Sequence, residues 1–94
     1  MLVKVPFNQI QVNAVAFEGA EIVFPYENKW FRMKWGNVPV RFKQLYVLKL
    51  RLEGVRVPDA LQQYVVDNIN VSDLNVELDL DKAEEVDENY PLRR

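Results

Sequence analysis

Six oxygen-bearing side chains, Asp73, Asn75, Glu77, Asp79, Asp81 and Glu84, fall at positions 1, 3, 5, 7, 9 and 12 of one window. Those are the ligand positions of a calcium loop, where carboxylates and an amide converge on a hard cation. Leu80 also fills the usual aliphatic position. Position 6, however, is Leu78, where such a loop needs glycine for its sharp turn. Coiling the segment would also push Leu74, Val76 and Leu78 into water. The same residues alternate strictly between apolar and polar, which is the pattern of a half-buried strand. The strand accounts for every position, so we expect no metal and no cofactor here. The carboxylates are then a solvated outer face, with nothing near them to raise a pKa for acid–base work.

Other catalytic constellations fare no better. The chain has no histidine and no cysteine, which removes the commonest general base and all thiolate chemistry. Threonine is absent too, and Ser72 is the only serine. A hydroxyl nucleophile would rest on that residue with no imidazole to activate it. The expectation is a protein that is not an enzyme.

The stretch KWFRMKWGNVPVRFK, residues 29–43, suggests binding instead. Gly36-Asn37 reads as a two-residue hairpin turn between alternating runs. Pairing Trp35 with Val38 sends Phe31, Met33, Trp35, Val38, Val40 and Phe42 inward. Trp30, Arg32, Lys34, Pro39, Arg41 and Lys43 then point outward. Arg32 would face Arg41, an unfavourable juxtaposition that calls for an anion above it. The apolar alternation runs on past Lys43, so Lys49 and Arg51 extend the basic side. A bend near Gln44-Leu45 would break the otherwise overlong strand.

Two kinds of partner suit such a face. One is a protein, or a second copy of this chain in a homo-oligomer, held by Trp30, Arg32, Lys34, Arg41 and Lys43 together with Tyr90 and Leu92 of the C-terminal arm. The other is single-stranded nucleic acid, with Trp30 stacking on a base and Arg32, Lys34, Arg41, Lys43, Lys49 and Arg51 on phosphates. A sequence pI near 5.1 weighs against the second. The plain alternative to both is internal: Glu77 and Asp79 of the carboxylate strand could neutralise Arg32 and Arg41.

Charge is unevenly distributed. Residues 1–52 carry eight cations against three carboxylates, and residues 53–94 carry four against eleven. This separates a basic region from an acidic one and suggests that the arm competes for the basic face.

These residues must be positioned by a small fold. Ninety-four residues form one domain, read here as residues 1–81 with a C-terminal arm, 82–94. Residues 10–17 and 20–24 suggest a hairpin. Pairing Phe17 with Ala20 groups Val15, Phe17, Ile22 and Phe24 on one side and Val12, Ala14, Ala16 and Val23 on the other. Pro58-Asp59 reads as a helix start, with Leu61, Val65 and Ile69 inward over residues 58–69 and Tyr64 in the core. Residues 2–5 form an edge strand able to join another sheet. The expected class is mainly β (α+β): a small antiparallel sheet or partly open β-barrel of five to six strands, with one helix, about 58–69, before the last strand.

The N-terminus lacks an apolar signal core, and no run approaches the roughly 18 apolar residues of a membrane span. We expect a protein of the cytoplasm or a virion that does not engage a membrane. The overall expectation is a protein-interaction or assembly module, of the kind found among small viral and phage components, with single-stranded nucleic-acid binding as the alternative.

Overall fold

A computed structural model describes residues 1–13, 19–69 and 74–92, with the side chain of Leu92 outside the description. It is mainly β: six strands in two antiparallel sheets, with one α-helix before the last strand. The sheets are not closed into a barrel.

The first sheet pairs β1, Leu2–Pro6, with β5, Asn75–Asp79. Val3 faces Leu78 and Val5 faces Val76, and all four are buried. The alternation read in 73–81 therefore holds across 75–79; of the calcium-loop positions Asn75, Glu77 and Asp79 lie in this ladder, Asp81 in the 3₁₀ turn after it and Glu84 on a strand of the other sheet, while Asp73 lies outside the described residues. Within this chain residues 2–5 pair with β5, in a sheet of two strands. Beyond the ladder the Met1 amine lies 3.2 Å from Asp79 Oδ1 and 2.8 Å from Asp81 Oδ2.

That latch makes a pH prediction. The Asp81 backbone N–H and then the Met1 amine hold the Asp79 carboxyl below its usual 3.8. Hydrogen bonds from the amine to Asp81 and Asp79 push the amine above its usual 8.0. A lowered carboxyl pKa stabilises above 3.8 and is lost as pH falls through the folded value. A raised amine pKa stabilises below 8.0 and is lost as pH rises through the folded value. The latch contributes fully between these limits, modestly because both partners are solvated. In urea titrations Asp79→Asn should abolish part of the acid-side loss seen in the parent. Superimposable pH curves would rule the latch out.

The second sheet has the order β2-β3-β4-β6, from Gln11–Asn13, Glu21–Tyr26, Lys29–Lys34 and Glu84–Val86. β3 and β4 form a hairpin through Glu27 and Asn28, both at positive φ, 50° and 66°. A two-residue turn with both centres left-handed matches the twist of the flanking strands. β2 pairs with β3 in a different register from the expected one: Val12 lies opposite Ile22, not on the face of Val23. Phe17, the residue on which the expected register turned, lies outside the described residues, as do Ala14, Val15 and Ala16.

The expected second strand of the 29–43 hairpin does not exist. β4 ends at Lys34, and Trp35–Asn37 makes a 3₁₀ turn closed by Val38 N–H to the Trp35 carbonyl at 3.1 Å. Gly36 stays out of the left-handed region that the hairpin turn would have used. Residues Val40–Leu52 then form α1. Its residues are mostly leucine, lysine, arginine and glutamine, which lose little side-chain freedom in a helix, and only Val40 and Val47 are β-branched. Pro39 sets the entry, and the exit is a Schellman turn: Val55 N–H reaches the Leu50 carbonyl at 2.9 Å across Gly54 at φ 72°.

Residues 58–69, the expected helix, hold only a 3₁₀ segment, Asp59–Tyr64. Leu61 is buried there, while Val65 is half-buried and just past its end. Tyr64 packs, half-buried, against Val47, Val57 and Leu61.

The helix sits between two apolar clusters. Phe42 and Leu45 enter the main one with Val3, Val5, Ile22, Phe24, Met33, Val38, Val76 and Leu78. Val47 enters the smaller one with Val57 and Leu61. Both sheets thus bury one face in the main cluster, and the second sheet keeps its other face for Arg32.

Candidate functional site

β4 places its side chains as its alternation dictates. Met33 goes to the core and Phe31 stacks on Phe24, with ring centroids 5.8 Å apart. Arg32 therefore points to the opposite face. Its sheet neighbours are Val23 of β3 and Glu84 of β6, so the expected apposition to Arg41 does not occur.

Arg32 joins the C-terminal arm to the sheet. Its Nη2 and Nε atoms donate to Glu84 Oε2 at 2.8 and 3.0 Å. Nη1 reaches the Tyr90 hydroxyl at 3.5 Å and lies 3.6 Å from Glu21 Oε1. The Tyr90 hydroxyl donates to Glu21 Oε2 at 2.6 Å, and Asn13 Nδ2 donates to the same oxygen at 3.2 Å. Hydrogen bonds to Tyr90 and Glu84 push the guanidinium pKa still higher, so it is charged at any pH the fold survives. Lys29 adds an exposed pair with Glu85 at 3.7 Å. Val23, on the same face, is fully buried, and Pro91 next to Tyr90 is buried.

Arg32 does meet an anion, one from the chain itself, although the apposition to Arg41 from which an anion was expected is absent. It is Glu84 with Glu21, not Glu77 or Asp79. Glu21 carried a sequence signal: it is the one carboxylate inside the apolar run AEIVF. Glu84 carried none, because its partner is 52 positions away.

The other predicted cations scatter. Lys34 is exposed and lines a cleft of about 370 Å³ with Arg32, Asn37 and Lys82. Arg41, at the start of α1, lines the neighbouring cleft of about 600 Å³, which shares Asn37 and Lys82. Arg32, Lys34 and Arg41 thus border one mixed-charge surface, although no hairpin joins them. Lys43 is turned inside, with its Nζ 5.1 Å from the Trp35 ring centroid and 5.3 Å from that of Tyr64. Lys49 and Arg51 are exposed on α1 and do not border those clefts. Trp30 is half-buried on a central strand, opposite Pro25 and Val86, so it is not the freely stacking platform expected. Tyr90 is part of the site; the side chain of Leu92 lies outside the described residues.

Among the described residues no cluster of three or more acidic side chains could hold a metal ion, and no helix is long and apolar enough to cross a membrane. Compared with family models, curated proteins and solved structures, the chain finds no match.

Proposed function

We propose that this chain is a non-enzymatic protein-interaction module whose β4 edge receives an extended acidic segment. Its own arm is the resident occupant, and a partner strand of like chemistry displaces it. The observation that supports this most is the Arg32–Glu84–Tyr90–Glu21 network. It reads as a receptor and ligand already joined: a strand of three residues on a sheet edge, a guanidinium for its first carboxylate, and an aromatic anchor beyond it. Strand addition uses the same division of labour, with main-chain bonds giving affinity and side-chain contacts giving specificity.

The ladder that holds the arm is short. β6 makes three pairs in the ladder, and its ion pairs are solvent-facing, so each contributes on the order of 1 kcal/mol or less. Tethering compensates by giving the arm an effective concentration on the order of millimolar. A competitor need only beat that.

The test uses the full chain with Glu84→Lys and Tyr90→Ala, which releases the arm. A free peptide of residues 82–94 should then bind, changing Trp30 fluorescence through Val86 beside it. Adding Arg32→Glu should abolish that binding. A released chain that ignores the peptide would overturn the reading. If it binds a single-stranded oligonucleotide instead, with affinity falling steeply as salt rises, the site passes to nucleic acid.

A further inference from the structure

The charged arm accounts for one face of the second sheet. It does not account for the outer face of α1. Leu52 is 79% exposed, Leu74 49%, and Leu48 is half-buried between them. These three, with Phe7, line a groove of about 350 Å³ whose charged residues are Lys49 and Glu53. A leucine that open at the last turn of a helix leaves most of its apolar surface in water, where burial would be favourable. The rest of the helix shows why it stays out. Its inward arc is already filled on both sides, by Phe42 and Leu45 on one and Val47 on the other.

We propose that this groove is a two-fold interface between copies of this chain. A two-fold contact must be self-complementary, since each residue meets its counterpart's neighbour across the axis. The rim meets that condition with the smallest possible set, one cation on the last turns of α1 and one carboxylate four residues on, at the helix's C-cap. Rotation by a half-turn sets Lys49 of one copy against Glu53 of the other, twice, around a centre of Leu48, Leu52 and Leu74. Among the described residues neither forms an ion pair within its own chain. A wholly basic rim would have repelled a second copy, and a wholly acidic one likewise. The area is small, so the dimer is weak and reversible.

This interface involves neither Arg32 nor the arm, so it stands or falls apart from the β4 edge. The experiment is sedimentation velocity across a wide concentration range. The parent should show a concentration-dependent dimer. Leu52→Glu should weaken it on the order of tenfold or more, with folding intact because the side chain is exposed. Lys49→Glu and Glu53→Lys should each weaken it, and the double exchange should restore it. The double exchange also restores the opposite-charge pair four residues apart within one chain, so the urea midpoint of each variant is measured as well, and the rescue marks a contact across the axis where that midpoint stays at the parent value. A parent that stays monomeric up to millimolar concentration overturns the inference. So does a dimer indifferent to Leu52, or one that the double exchange fails to rescue.

Discussion

Phe42→Ala should lower the free energy of unfolding by about 3–5 kcal/mol, the usual cost of emptying a buried phenylalanine site. Phe42 is 1% exposed. Its ring lies 5.3 Å from Phe7, 6.4 Å from Trp35 and 6.2 Å from Tyr46, centroid to centroid. It therefore ties together the 3₁₀ turn after β1, the turn after β4 and the helix itself. Those elements cannot close on a methyl group without moving two sheets. A small domain holds about 5–15 kcal/mol in total, so the variant should retain little or nothing of its margin. Urea denaturation measures it directly, with the midpoint falling and the slope unchanged. A loss under about 1 kcal/mol would mean that the ring cluster is not packed as described.

Lys43→Glu should be nearly as costly, on the order of 3 kcal/mol, which is the scale for a buried charge stripped of its favourable surroundings. A cation over the faces of Trp35 and Tyr64 meets the negative side of each ring quadrupole. A carboxylate there would meet the same faces with the wrong sign, at a residue 7% exposed. Lys43→Met keeps the stem and removes the charge, so it should cost only about 1–2 kcal/mol. The pair separates two structures. On the outward face of a strand either change would be within about 0.5 kcal/mol of neutral. A Lys43→Glu protein as stable as its parent would thus remove α1 from this fold.

The strands with one wet face were legible residue by residue. Val76 and Leu78 alternate with Asn75, Glu77 and Asp79, and the structure buries the first pair only. Met33 and Arg32 part company on β4 for the same reason. α1 was not legible as a helix. Its buried arc is wide, because it packs on two clusters at once, and a wide arc weakens the period of 3.6. Phe42, Tyr46, Leu48, Leu50 and Leu52 also fall on even positions, which imitates a strand. The helix-forming side chains between them were the better guide. The turn at Glu27-Asn28 lacked the glycine that usually marks such a bend, so the β3–β4 hairpin left no sign.

Sequence alone determined which side-chain types are absent, the charge separation between the two halves, the β-rich class and the facing of β3, β4 and β5. These depend on residue type and on neighbours two positions away. Tertiary structure alone decided which carboxylate meets Arg32, that Lys43 goes inside, and that the acidic arm becomes a strand on the basic sheet. Each of those joins side chains tens of positions apart, and a local pattern holds no record of such a pairing because packing, not periodicity, selects it.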